Sequence, residues 1–246
     1  MKKIWSYLAG GIFFTLLWWG VSLVLSLPIV PSPWEVVARL LQTFTETVAI
    51  HGFYSLWRIM VGLLLAILLG FPLGLSMGYY PSLDRYLAPL VYLTYPVPKI
   101  ALLPIFMLLG GVGEAPKIIM IFLIVVFQVI IAVRDSIRAI PAETYYPLFS
   151  LGASFRHLFS EVLWPASLPK FITALRVALA TAISVLFFTE TFGTQYGMGY
   201  FIMDAWLRVN YLDMYVGIMV LSLMGLALFS LLDAIEYRAT RWQRKG

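Results

Sequence analysis

The chain has 246 residues, of which 61% are hydrophobic and 12% charged, with a formal net charge of +5 and no cysteine. Soluble domains carry about 25% charged residues, so this composition excludes a soluble globular enzyme and specifies an integral membrane protein. The missing cysteines exclude disulfides, thiolate metal sites and cysteine nucleophiles.

Met1-Lys2-Lys3 and the apolar stretch behind it have the outline of a signal peptide. The apolar run is longer than a signal core of about 7–15 residues, however, and it ends at Leu27-Pro28 without small residues placed for cleavage. Tyr7 to Leu27 is therefore read as an uncleaved first span, with Trp18 and Trp19 in lipid or packing contacts. The uncharged runs Ser6 to Trp34, Ile59 to Leu83, Ile118 to Val133 and Met214 to Leu232 each cross or nearly cross a ~30 Å hydrocarbon core. Two more spans carry one internal charge each, Lys99 and Arg176. The expectation is one all-α domain over 1–246 with six transmembrane helices.

Between the first two spans, Pro31-Ser32-Pro33 stops one helix and starts another, whose Val36, Val37, Leu40, Leu41 and Phe44 make an apolar stripe. This is expected to be a short helix on the outer face, followed by His51 as a solvated loop residue. In the second span Gly62, Ala66, Gly70, Gly74 and Gly78 fall at every fourth position, a groove that lets another backbone approach closely. Whether that backbone belongs to the same chain or to a second copy is left open by the spacing.

The third span, Tyr86 to Leu109, contains Tyr95-Pro96-Val97-Pro98-Lys99 and Pro104 and cannot be one regular helix. Carbonyls freed at membrane depth persist only where protein or a watery cavity satisfies them. Lys99 lies roughly 20 Å into the span at ~1.5 Å per residue, too deep for easy snorkelling, so it faces the interior of the assembly. There it either attracts an anionic substrate, pairs with Glu190 or satisfies the carbonyls freed by Pro96 and Pro98. Gly110-Gly111-Val112-Gly113 is glycine-rich but lacks the Gly-Lys-Ser/Thr of a phosphate loop. The fourth span is Lys117 to Val133, the fifth about Phe171 to Phe192 with Ala174, Ala178 and Ala182 as a second close-packing stripe, and the sixth ends near Leu232. Gly193 to Asp213 forms an outer loop with a short helix.

The longest polar interruption runs from Arg134 to Lys170. Within it Phe155, Leu158, Phe159, Val162 and Leu163 recur at helical spacing, opposite Arg156, His157, Ser160 and Glu161. Gly152 suits a left-handed helix terminator, and Ser154 is placed to cap the next helix with its hydroxyl. With six spans, Lys2, Lys3, Arg85, Arg134, Arg138, Arg156, Lys170, Arg176, Arg238, Arg241, Arg244 and Lys245 fall on one side, against Arg39, Arg58, Lys117 and Arg208 on the other. The positive-inside rule places both termini and this loop in the cytoplasm. The basic tail then faces anionic lipid and is not a nucleic-acid site.

The runs Leu151-Gly152-Ala153-Ser154, Val162 to Pro169 and Leu175-Arg176-Val177-Ala178 resemble the coupling loop of bacterial ABC-importer permeases, most closely the nitrate, sulfonate and taurine branch. The Pro-x-Pro segment with Leu102-Leu103-Pro104, and the glycine-rich stretch after Glu190, are similar to the same family. The resemblance implies a type I importer permease of the inner membrane, working as a homodimer with two copies of an ATPase and an extracytoplasmic substrate-binding protein. It implies no cofactor on this chain, ATP and Mg being held by the ATPase. Tyr146, Pro147, Leu148, Gly152, Ala153, Ser154, Phe155, Leu158 and Phe159 are then the ATPase-coupling residues, and Lys99, Glu190, Pro96 and Pro98 the pathway residues. Tyr146-Pro147-Leu148 replaces the family's acidic-alanine-alanine triplet, so the first coupling helix is expected to be broken or shortened. A self-contained channel or secondary carrier is the alternative, weakened by having only Lys99 at mid-membrane. An intramembrane enzyme is excluded because no Ser/His pair, metal-ligand cluster or carboxylate dyad falls within the spans.

Overall fold

A computed structural model describes residues 2–94 and 96–240, and the side chains of all of these except 2–4 and 6–8. Tyr95 of the proline-rich segment, the side chains of Lys2 and Lys3, and Arg241, Trp242, Arg244 and Lys245 of the basic tail lie outside that description. Among the described residues every regular element is a helix: α1 (Lys2–Leu25), α2 (Pro33–Thr43), α3 (Ala49–Tyr79), α4 (Pro81–Thr94), α5 (Leu103–Gly110), α6 (Glu114–Arg138), α7 (Tyr146–Ser150), α8 (Phe155–Leu158), α9 (Trp164–Glu190), α10 (Met198–Leu207) and α11 (Tyr211–Ala239). Among the described residues four continuous helical runs are long and apolar enough to cross a membrane: Pro33–Tyr79, Glu114–Arg138, Phe155–Glu190 and Tyr211–Ala239. The pair Pro81–Thr94 and Lys99–Gly110, bent by 78°, makes a fifth if it is one span.

The chain groups into two compact units. The first comprises Met1–Ser55 and Glu190–Met224. Its core is Val36, Val48, Met198, Phe201 and Val216, with Trp18, Leu40, Leu212 and Tyr215 packed against it. Trp18 is a packing residue, as its sequence position implied: its ring stacks on Tyr215 at 5.6 Å and its indole N–H donates to the carbonyl of Pro31. Ser32 and Glu35 form a reciprocal capping box at the start of α2, with Pro33 in the first turn. The Ser32 backbone amide and hydroxyl both donate to the exposed Glu35 carboxylate, at 2.7 and 2.8 Å. Arg39 pairs in bidentate fashion with Asp213.

Two sequence expectations are corrected in this unit. The helix at Pro33 is not separate: a π-helical turn, Phe44–Val48, joins it to α3. Such a turn absorbs one extra residue without ending the helix, so no breaker appears in the sequence. His51 is consequently a helical residue, 7% exposed, enclosed by Tyr196, Tyr200 and Phe201 and not solvated.

The second unit comprises Leu56–Thr189 and Gly225–Gly246. Its organising feature is the small-residue stripe of α3, which packs within the chain, against α6. A Cβ built on Gly62 would lie 2.6 Å from Ile121 Cγ2, one on Gly70 3.0 Å from Val129, and one on Gly74 2.6 Å from the carbonyl oxygen of Ile130. One on Gly78 would lie 2.6 Å from Ile137 Cβ, and Ala66 is fully enclosed. The partner rises in step with the stripe, so α3 and α6 run parallel. Ile121, Val125, Val129 and Val133 of α6 are all 0% exposed as a result. Dispersion contact at this range replaces the hydrophobic drive that lipid cannot supply.

Three ion-pair clusters among the described residues tie the same unit. Buried Arg58 of α3 holds Glu114 at the start of α6 through two 2.6 Å bonds. Arg134 of α6 grips Asp84 of α4 with two bonds and also reaches Tyr92 and Asp135, while Arg138 adds a 2.9 Å contact to Asp84. Arg176, the charge inside the fifth apolar segment, meets Asp233 and Glu236 of α11 at 2.6 Å each.

Candidate functional site

The first candidate site is the segment between α6 and α9. α6 continues past its apolar run to Arg138, since Arg134 and Ser136 are enclosed and not solvated. α7 is short, five residues, as the Tyr146-Pro147-Leu148 substitution implied. Pro147 does not break it: it occupies the first turn, where a helix has no use for its missing amide.

Gly152 has φ +65°, the left-handed conformation expected from its position. Its amide donates to Phe149 O, and that of Ala153 to Leu148 O, which together make a Schellman terminator. Ser154 begins the next helix with extended backbone, and the Leu158 amide donates to its carbonyl. The expected hydroxyl cap is absent; the Ser154 hydroxyl shares a 2.9 Å hydrogen bond with His157 Nδ1 instead. His157 stands three residues on, where a capping-box acid would stand, and competes with the amides for that oxygen.

α8 does not end as a free-standing helix. A π-helical turn, Phe159–Leu163, carries it into α9, which therefore starts at Trp164 rather than near Phe171 and ends at Glu190. Leu158, Val162 and Leu163 are buried, so Leu158 cannot itself meet a partner. Phe155 leans edge-on to Tyr79, and Phe159 is half-buried against Trp164. The exposed apolar surface of the segment is Tyr146, Phe149, Leu151 and Phe155, with Leu151 85% exposed. Phe149 and Leu151 were missed from sequence because no helical stripe contains them; they are exposed by the tight turn at Gly152.

The second candidate site lies at the break between α4 and α5. Pro96 and Pro98 lack the amides that would donate to the carbonyls of Tyr92 and Thr94, four residues back. Lys99 Nζ donates to Thr94 O at 2.9 Å and lies 4.9 Å over the Phe127 ring. Beside it an open recess of about 370 Å³ is lined by Lys99, Ile100, Ile124, Gln128, Thr181 and Val185.

Glu190 belongs to the first unit and is wholly enclosed there. The Ser55 hydroxyl meets both its carboxylate oxygens at 2.8 and 2.9 Å, and the Gly199 amide donates to Oε2 at 2.9 Å. The Met198 amide donates to Ser55 Oγ, and the Gly197 amide to His51 Nδ1. Glu190, Ser55 and His51 thus satisfy the first amides of α10, a position where a carboxylate is also favoured by the helix dipole. Among the described residues no cluster of metal-ligating side chains occurs.

Apolar spanning helices, a polar recess beside a broken helix and a short exposed helix-turn-helix between two spans define a membrane transport protein. The family model described as "Binding-protein-dependent transport system inner membrane component" matches residues 62–245, and the chain belongs to that family. It is 32% identical over 233 residues to the taurine transport system permease protein TauC of Escherichia coli (strain K12), covering 92% of this chain and 85% of that one. It is 28% identical over 249 residues to the formylaminopyrimidine transport permease protein ThiX of Halalkalibacterium halodurans, with both chains fully covered. The putative aliphatic sulfonates transport permease protein SsuC of Bacillus subtilis (strain 168) is 29% identical over 225 residues, 89% of this chain and 80% of that one. An inward-facing structure of the MetNI methionine ABC transporter shares the fold, with a TM-score of 0.69 at 18% identity over 82% of this chain and 98% of the other. The chain is thus a multi-pass inner-membrane permease component of an ABC importer, and not itself an enzyme; ATP hydrolysis belongs to a separate subunit.

Proposed function

We propose that this chain is the membrane-spanning half of an ATP-driven importer that receives a small anionic or polar solute, a sulfonate by preference, from an extracytoplasmic binding protein. It works as a homodimer with two ATPase copies, which hold the ATP and Mg. Six spans place both termini and the 134–170 segment in the cytoplasm. The observation that carries the reading is the match to permeases over most of the chain together with the exposed Tyr146, Phe149, Leu151 and Phe155 surface, which suits docking on an ATPase. Lys99, with the Pro96 and Pro98 break, belongs to the pathway. Two relatives named for taurine and aliphatic sulfonates support the solute class.

The test is reconstitution of the chain with its ATPase and binding protein in proteoliposomes. ATP hydrolysis stimulated by sulfonate-loaded binding protein, with uptake that needs ATP, is expected. Uptake by the permease alone would replace this reading with that of a self-contained carrier.

A further inference from the structure

The first turn of α10 is held by side chains from other helices. The successive amides of Gly197, Met198 and Gly199 donate to His51 Nδ1, Ser55 Oγ and the Glu190 carboxylate. His51 and Ser55 stand one turn apart on α3, Glu190 ends α9, and all belong to the first unit. One of these acceptors can change its sense. Nδ1 accepts the Gly197 amide at 3.0 Å only in the neutral ring, where it carries a lone pair, and the same nitrogen lies 3.2 Å from the Gly197 carbonyl oxygen. Protonation makes Nδ1 a donor. It then turns to that carbonyl, which already accepts the Phe201 amide, and the Gly197 amide is left against an N–H. A positive charge now also faces the helix end that disfavours cations. The ring itself is retained in either state: Tyr200 stacks on it at 5.8 Å, Tyr196 and Phe201 flank it, and aromatic faces attract a cation. The backbone yields instead, because Gly193 and Gly197, at φ +53° and +143°, bound the segment leading into α10 and can take up other torsions.

We infer that His51 is a proton-sensitive positioning residue, whose neutral ring latches the start of α10 to α3 and whose protonation releases that turn. The inference goes beyond the importer reading, since the latch is defined without any solute. The other titratable groups around it are Glu190 on α9, Tyr54 on α3, Tyr196 before α10 and Tyr200 within it. Phenols ordinarily ionise near pH 10 and carboxyls near pH 4, so imidazole is the group of this set suited to change charge between about pH 5 and 8. The latch needs the neutral ring, so it is closed at the upper end of that range and opens as the pH falls.

The test measures hydrogen exchange of peptides within 190–201 in the full chain, purified with its ATPase subunit in lipid nanodiscs, after correction for the intrinsic pH dependence of exchange. Lowering the pH from about 7.5 to about 5.5 is expected to raise that exchange about fivefold. His51→Gln, whose amide oxygen accepts the same N–H at any pH, is expected to abolish the response. His157→Gln, which alters the other of the two histidines, is expected to leave it intact. Protection that does not change with pH in the unaltered chain, or a response that survives His51→Gln, overturns the latch. Should His51→Gln fail to fold, the other two proteins still decide, since a response lost with His157 refutes the assignment to His51. Exchange is read without solute, binding protein or transport, so failure of the latch and failure of the importer reading are separate results.

Discussion

Lys99 reaches back five residues to the carbonyl of Thr94, the acceptor whose helical donor would have been the amide that Pro98 lacks. One side chain thus adds a second donor to Thr94 O, beside the Val97 amide at 3.4 Å, and brings a positive charge to the recess. Lys99→Arg keeps both roles, while Lys99→Met loses both. Uptake by the reconstituted importer is expected to fall at least about tenfold in Lys99→Met and to be largely retained in Lys99→Arg. Unchanged uptake in the Met variant, with a lowered melting temperature, would reduce Lys99 to a backbone clamp.

The α3 stripe makes a quantitative prediction about stability. Gly74→Ala puts a methyl 2.6 Å from the Ile130 carbonyl oxygen, a backbone atom that cannot swing aside. Overpacking of this kind costs about 1–3 kcal/mol. Gly52→Ala is the control, since a Cβ there meets nothing within 4 Å. Thermal unfolding in detergent should show Gly74→Ala melting several degrees lower and Gly52→Ala melting no lower than the parent protein.

At Gly152 space is not the constraint, because an added Cβ meets nothing within 4 Å; the +65° φ is. A β-branched residue there costs roughly 1–2 kcal/mol and favours a different turn, whereas Asn tolerates the conformation. Gly152→Val is expected to insert normally yet fail to co-purify with the ATPase, and Gly152→Asn to co-purify. Equal recovery of ATPase with both variants would detach this turn from assembly.

The exposed apolar surface around that turn predicts which substitutions uncouple. Leu151→Asp with Phe155→Asp should abolish stimulation of ATP hydrolysis by loaded binding protein. Leu158→Asp should instead lower stability and yield, because that side chain is 3% exposed and faces its own chain. Normal coupling in the Leu151/Phe155 double variant would move the ATPase contact elsewhere.

Asp84 is the shared acceptor of Arg134 and Arg138. Asp84→Asn breaks the buried pair and leaves the enclosed Arg134 only the exposed Asp135 as counter-charge, a change that costs up to about 3–5 kcal/mol. Adding Arg134→Gln should recover part of that loss. Additive losses in the double variant, measured by thermal unfolding, would show that the two residues act independently.

What the sequence reveals and what it hides divide along locality. The α3 groove, the Pro-x-Pro break and the Gly152 terminator are legible because each depends on residues within one or two turns. The close-packing spacing says that a backbone approaches but not whose, so the choice of α6 needed the fold. The pairs Arg134–Asp84, Arg58–Glu114 and Arg176–Asp233 join residues 50, 56 and 57 positions apart and leave no local trace. Their one signal is that each arginine adjoins or interrupts an apolar run and so requires an acid of opposite sign. Both π-helical turns were invisible for the opposite reason, since they need no special residue; one made His51 look like a loop residue and the other shortened the apparent fifth helix. Glu190 was singled out by its place before a glycine-rich stretch, but that place does not say that its carboxylate would be committed to Ser55 and Gly199.

The contact between α3 and α6 also limits how this part of the molecule can deform. Small residues on α3 meet α6 at intervals of four, so the next register in which they mesh lies about 6 Å along the axis. Intermediate positions would drive Val129, Val133 and Ile137 over α3 side chains instead of glycine. Arg58–Glu114 further pins the pair at one end. Gradual sliding is therefore closed to the two helices, and a push delivered to the end of α6 at Arg138 travels along both as along a single strut.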